Sequence, residues 1–330
     1  FFAPDPGANA SIGGMIANNA AGTRTPGYGA TRDNVMRLEI VLANGDIIRT
    51  GTRSVKTSSG YDLTHLLIGS EGTLGIVTEA TLKLRPIPEH FSAVVASFEN
   101  VAGATRAVSA IMGAGLKPVA LEFLDVTTTR ELNTTGEFRL TEKPTLLIEF
   151  HSATPHAIEH ELALAQELCN DHGCVNFETG VGRAERDRLW KMRHSTYEVM
   201  VRNHPGISFL TGDVAVPVSR YSELVAACEQ ELRALNLEGA SMLGHAADGN
   251  LHPGIPYLPN DQASHARARQ ALANMVRVAL SLDGTSTGEH GIGIGKIPFM
   301  PQEHGASLDV MRAIKKLFDP NGILNPGKMF

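Results

Sequence analysis

Hydrophobic and polar positions follow two regimes along the chain. Up to residue 88 the apolar runs are short and sit among Gly, Ala, Asn and Thr. Two such runs, 38–42 and 46–49, flank Asn44-Gly45, a pair that suits a two-residue hairpin turn because both residues tolerate positive φ. A strand pattern over 76–84 stops at Arg85-Pro86-Ile87-Pro88, and the two prolines predict a domain boundary there. From about 91 to 283, strand and helix patterns alternate. Strands are expected at 94–98, 118–123, 145–151, 174–178, 240–247 and 250–257. Helices are expected at 101–112, on a stripe of Val101, Ala104, Val108 and Ile111, and at 155–172, 183–202, 219–235 and 261–281. This succession predicts an α+β domain with helices over one side of its sheet. Residues 311–330 predict a short helix and a turn-rich tail.

Composition narrows the class. The 330 residues are 42% hydrophobic and 19% charged, ordinary for a globular enzyme. A net charge of −6 argues against nucleic acid as a partner, since phosphate neutralisation needs a basic surface. No apolar run has the length of a membrane span. Cys169, Cys174 and Cys228 form no disulfide framework, which predicts a reducing, cytoplasmic setting. The chain opens at Phe1 without an initiator Met or signal peptide, and reads as starting inside a domain.

The chemistry concentrates in two segments. In Gly244-His245-Ala246-Ala247-Asp248-Gly249-Asn250-Leu251-His252, the histidines stand seven positions apart, which would put them on opposite faces of an unbroken strand. A tight turn centred on Asp248-Gly249 pairs Ala247 with Asn250, Ala246 with Leu251 and His245 with His252. Directly opposed side chains have Cβ atoms roughly 4.5–5.5 Å apart, close enough to grip one metal ion. The second segment, Gly288-Glu289-His290-Gly291-Ile292-Gly293-Ile294-Gly295-Lys296, sets a carboxylate beside an imidazole in a glycine-dense loop. Two His and one carboxylate leave coordination positions open, as a catalytic divalent site requires. The loop fits neither the dinucleotide nor the P-loop glycine pattern. His156-Ala157-Ile158-Glu159-His160 matches the H-x-x-E-H zinc-peptidase motif. Its histidines fall opposite the apolar stripe of Ile158, Leu162, Ala165 and Cys169, which predicts a solvated pair.

GHAADGNLH and GTSTGEHGIGIGK resemble the metal and active-site signatures of the FAD-linked D-2-hydroxy-acid dehydrogenases, above all their cytochrome-linked D-lactate branch. LFDPNGILNPGKMF resembles that family's C-terminal signature. YDLTHLLIGSEGTLGIVTEATLKLRP and PGANASIGGMIANNAAGTRTPGYGATRDNV resemble its flavin-domain segments. The resemblance implies part of a vanillyl-alcohol-oxidase-type (PCMH-type) FAD-binding domain over 1–88, a ferredoxin-like α+β substrate domain with an antiparallel sheet over 89–290, and a segment 291–330 packing back on the first. It implies FAD and a divalent metal, zinc or manganese, held by His245, His252 and Glu289. It gives His290 the hydroxyl proton of the substrate, and flavin N5 the hydride. Leu189-Trp190-Lys191-Met192-Arg193-His194 resembles the family's LWxxRH segment, and Arg193 would take the substrate carboxylate through its planar fork. Gly13, Gly14, Gly72, Gly75, Ile76 and Asn325 would face the flavin.

The implied substrate is D-lactate, with glycolate or D-2-hydroxyglutarate as alternatives. An electron acceptor such as a cytochrome or quinone, a homodimer and a peripheral position at the inner membrane are implied as well. This sequence departs from the family in lacking the earlier glycine-rich loop that cradles the pyrophosphate, and in Ala246-Ala247 and Ser286. The missing loop keeps a non-catalytic fragment or incomplete subunit as a rival. A metallohydrolase is the other, resting on the His/Glu set alone.

Overall fold

The computed structural model, which describes residues 1–7 and 9–330, divides into two units, Phe1–Ile87 with Ser286–Phe330, and Pro88–Thr285. The first break falls at the prolines. The second lies a few residues before 290, because Glu303 accepts the Ser286 amide at 3.1 Å and so ties the chain after Thr285 to the first unit.

In the first unit a three-stranded antiparallel sheet has the order β2-β1-β3, with β1 at Val35–Val41, β2 at Ile47–Gly51 and β3 at Ile76–Leu82. The β1–β2 hairpin turns through the three residues Ala43-Asn44-Gly45 rather than the two expected, with Leu42 N donating to Asp46 O and Gly45 N to Leu42 O at 2.9 Å each. Of the Asn-Gly pair only Gly45, at φ 89°, has positive φ. Helices α1 (Ile12–Asn18), α2 (Thr25–Tyr28) and α3 (Leu63–Leu67) are short. Ser11 caps α1 by accepting from Gly14 N. The core gathers Ile16, Val35, Leu38, Ile40, Leu67, Ile68 and Leu74, and Ile314 and Phe318 of the C-terminal helix pack against it.

The second unit holds β4 (His90–Phe98), α4 (Val101–Gly113), β5 (Ala120–Leu124), α5 (Val126–Asn133), β6 (Thr145–Ser152), α6 (Pro155–Asp171) and β7 (Cys174–Val181). These are followed by α7 (Arg183–His194), α8 (Thr196–Asn203), β8 (Ser208–Thr211), β9 (Val214–Ala215), α9 (Tyr221–Ala234), β10 (Ser241–His245), β11 (Asn250–Tyr257) and α10 (Gln262–Ser281). Two helices, α11 (Met300–His304) and α12 (Ser307–Phe318), belong to the first unit. The eight strands form one antiparallel sheet in the order β7-β4-β6-β5-β10-β11-β8, with β9 paired to β11.

Helices cover both faces of this sheet, not the one expected. On β5, Ala120 and Leu124 pack with Leu132, Trp190, Met192 and Val199 of α5, α7 and α8, whereas Phe123 on the other face meets Tyr221 of α9 edge-on at 6.4 Å. The mostly apolar runs of β4, β5 and β6, which do not alternate with polar residues, are the signature of strands buried on both sides. Trp190 is large and buried, so its truncation to Ala costs about 3–5 kcal/mol.

The single helix expected over 183–202 is two. Ser195 caps α7, its hydroxyl donating to Met192 O at 2.9 Å, and Thr196 donates to Arg193 O at 2.7 Å. Such local side-chain bonds compete with helix continuation. Two further elements were not legible from the apolar pattern. Helix α5 is set by its cap Asp125, which accepts from Thr128 N at 2.7 Å. The β8–β9 pair is held by β11.

Candidate active site

The hairpin carrying the two histidines differs from the expected one. In the β10–β11 ladder Leu243, not His245, stands opposite His252. Asn250 and Leu251 pair with Ala215 and Val214 of β9, which continues the register of β8 along the edge of β11 that faces away from β10. Ala246–Asp248 instead winds a single 3-10 turn, closed by Gly249 at φ 68°. A Cβ at Gly249 would lie 1.9 Å from Val216 O, so this corner admits only glycine.

The register is displaced by two residues, and that preserves the outcome. Strand side chains alternate with period two, so a shift of one would have sent His245 to the other face, whereas a shift of two keeps it on the face of His252. The histidines become diagonal neighbours. Their ring centroids are 5.1 Å apart at 81°, and one ligand nitrogen from each lies within 4.8 Å of the other.

Buried neighbours orient both rings. His245 stands across the β5–β10 ladder from Glu122, and its Nδ1 meets Glu122 Oε1 at 2.6 Å. An ionised carboxylate only accepts, so Nδ1 carries the proton and the Nε2 lone pair becomes the ligand position. His252 Nδ1 lies 3.2 Å from Gly212 O, also an acceptor, which selects the same tautomer. Asp213 Oδ1 lies 3.7 Å from His252 Nδ1 and accepts from Asn250 Nδ2 at 2.9 Å. The donor chemistry fits a divalent ion of the zinc or manganese type, with two neutral imidazoles whose outer nitrogens are anchored.

Arg193 is buried at the same place. Its Nε and Nη2 both reach Glu122 Oε2, at 2.7 Å each. That edge of the fork is therefore turned to Glu122. Burial pushes the Glu122 carboxyl up, but the charges of His245, in its protonated metal-free form, and of Arg193, with their hydrogen bonds, outweigh it, and the group sits below its ordinary value. A comparable set occupies β6 on the same face. The wholly buried Glu149 meets His151 Nε2 and lies 3.5 Å from Arg186 Nε.

In the first unit Glu289 and His290 are neighbours on the glycine loop, with His290 Nε2 3.8 Å from Glu289 Oε1 and His290 exposed. The loop is tethered by Glu71, whose carboxylate accepts from Ile292 N at 2.6 Å and from Gly293 N at 2.9 Å. Gly291, at φ 81°, makes this possible, because a Cβ there would come 2.7 Å from Glu71 Oε1. Asn325 donates from Nδ2 to Glu71 O, and Lys315 Nζ donates to Thr73 O at 2.8 Å. The segment 311–330 thus lies against residues 71–73. Gly13 and Gly14 are exposed at the start of α1, with Ile76 exposed at the start of β3. Gly72 adjoins Asn325, and Gly75 makes room for Ile40 Cγ2, which a Cβ would approach to 2.5 Å. His156 and His160 are exposed on α6, while Ile158, Ala165 and Cys169 are buried.

Glu122, Asp213 and Glu71 were not singled out from the sequence. Glu122 had a readable signal: it is the one charge in the apolar run 118–124, and a charge in such a strand is tolerated only with partners.

The family model for FAD linked oxidases, C-terminal domain, matches residues 87–329, and the model for an FAD binding domain matches residues 1–51. The chain belongs to the FAD-linked oxidases. It is 40% identical over 330 residues to the mitochondrial D-lactate dehydrogenase [cytochrome] of Arabidopsis thaliana, covering 100% of this chain and 58% of that one. It is 39% identical over 335 residues to the glycolate oxidase subunit GlcD of Bacillus subtilis, covering 100% of this chain and 70% of that one. A 4-ethylphenol oxidase of Gulosibacter chungangensis, solved with isoeugenol, superposes with a TM-score of 0.70 at 16% identity over 97% of this chain and 70% of its own. That likeness shows the fold, the α+β architecture of vanillyl-alcohol-oxidase-type flavoproteins. Among the described residues, no helix of this FAD-linked oxidase is long and apolar enough to cross a membrane.

Proposed function

We propose that this chain is the larger part of an FAD-dependent dehydrogenase that oxidises a D-2-hydroxy acid, D-lactate first of all, to the 2-keto acid. The observation that carries this reading is the buried pair His245 and His252 on one sheet face, each with Nδ1 on an acceptor, beside the buried Arg193. The proposed ligand set is His245, His252 and Glu289, the last taken from the sequence motif. A divalent ion lowers the pKa of a bound alcohol, and FAD accepts the hydride. Arg193 orients the acid through its carboxylate. His290 takes the hydroxyl proton, a role suited to an imidazole near neutral pH. Gly13, Gly14, Gly72, Gly75, Ile76 and Asn325 are proposed to face the flavin.

An electron acceptor of the cytochrome or quinone kind, a homodimer and a cytoplasmic or peripheral inner-membrane location belong to the same proposal. The relatives named for D-lactate and for glycolate support the class of acid more strongly than the choice within it. The test is anaerobic reduction of the full-length flavoprotein by D-lactate, glycolate and D-2-hydroxyglutarate in parallel. Bleaching fastest with D-lactate is the expected result. Bleaching by none of the three would overturn the proposal.

A further inference from the structure

We propose that Glu122 is a positioning residue that couples the metal ligand His245 to the substrate anchor Arg193. This rests on the reading of those two residues given above. Glu122 faces His245 across the β5–β10 ladder, so backbone register sets their approach. It is wholly buried, and its two oxygens are divided. Oε1 takes His245 Nδ1 at 2.6 Å, while Oε2 takes Nε and Nη2 of Arg193 at 2.7 Å each. One rigid group therefore fixes the tautomer and plane of the imidazole and, at once, the plane of the guanidinium. Arg193 comes from α7, on the covering helix layer, and His245 from the sheet. Their relative position is held by this one carboxylate, which carries a negative charge between two groups that both donate to it.

Glutamine cannot serve both partners at once. A Gln at 122 can accept from His245 with its amide oxygen, but its NH₂ then points at Arg193, also a donor. Flipped, it satisfies Arg193 and opposes the proton on His245 Nδ1. Either way one partner faces a like group, and both lose the shared negative charge, so zinc affinity and KM are expected to move together. A shorter Asp keeps the charge but withdraws it by one methylene from both. A merely structural Glu122 would, when changed, lower the melting temperature and leave the binding constants of the folded fraction alone.

The experiment compares parent, Glu122→Gln and His245→Ala in the full-length flavoprotein. It reads zinc affinity, by competition with a chromophoric chelator, and the split between KM and kcat for D-lactate at saturating zinc. Circular dichroism gives the folded fraction, and Glu122→Asp substitutes if the Gln variant does not fold. Glu122→Gln is expected to weaken zinc binding by about 10–100-fold and to raise KM for D-lactate in the same protein. If both constants stay within about threefold of the parent while His245→Ala has lost zinc, Glu122 has no such role and the metal reading stands. A change in only one of the two constants overturns the coupling. If His245→Ala binds zinc like the parent, the metal reading itself fails and the role of Glu122 falls with it.

Discussion

The two units carry candidate chemistry in different ways. In the second, His245 and His252 sit on neighbouring strands of an eight-stranded sheet covered on both faces, and their outer nitrogens are held by Glu122 and Gly212. In the first, Glu289 and His290 sit on a glycine-rich loop beside a three-stranded sheet, and that loop is tethered by the Glu71 carboxylate and the C-terminal segment. Two of the three proposed ligands, His245 and His252, stand at strand positions where register fixes them, while the third, Glu289, stands on the loop. The residue proposed to move a proton stands on a loop, where glycines let the backbone come close to whatever it serves. The contrast makes different demands on mutation.

The largest effect belongs to the strand-borne pair. His245→Ala and His252→Ala should each empty the metal site and slow flavin reduction by about 10⁴-fold, since a metal supplies several kcal/mol to the step and each 1.4 kcal/mol is tenfold. Metal analysis and stopped-flow absorbance check this together, and a variant that keeps both metal and rate would remove the residue from the set. For the loop residue the loss is confined to chemistry. His290→Ala should retain metal and flavin yet reduce the flavin about 10²–10⁴-fold more slowly. An unchanged rate with the same pH dependence would make His290 a bystander.

Next comes the tether. Glu71→Ala leaves the amides of Ile292 and Gly293 without their acceptor, a cost of about 1–3 kcal/mol if no water replaces it. Hydrogen exchange at those two amides should quicken, while that of β10 and β11 stays as it was. Equal quickening in both units would erase the contrast drawn above. The smallest effect concerns the thiols. Burial pushes Cys169 and Cys228 up to about 12, and burial raises Cys174 as well. A raised pKa keeps these groups as neutral thiols at pH 8, so a thiolate-directed reagent should label the native protein slowly and the unfolded protein at all three. Rapid native labelling of Cys228 would show that α9 opens readily.

Much of this was legible before the fold was known, and the gaps have physical causes. The place of the β1–β2 hairpin, though not its turn length, and the break at the prolines followed from residues with narrow conformational preferences. The His245–His252 pairing did not, because Ala246–Asp248 winds a 3-10 turn and Gly249 packs against Val216 O, a tertiary contact that no local pattern encodes. The even displacement kept the face, so the two histidines meet for a reason other than the one expected. Arg193 was identified by resemblance, but its engagement by Glu122 depends on α7 lying over β5 and could not be read from spacing. The second layer of helices was foreshadowed by the apolar runs of β4 to β6, which carried no alternation to match a one-sided cover.

The central claim is that a metal on His245 and His252 is required for oxidation of a D-2-hydroxy acid by this FAD-linked oxidase. Anaerobic stopped-flow reduction of the full-length flavoprotein tests it most directly, with D-lactate and L-lactate, before and after the metal is stripped and again after zinc or manganese is restored. The account predicts bleaching by D-lactate alone, lost on stripping and recovered with the metal. Stripped protein that bleaches with D-lactate as fast as the untreated protein would contradict it.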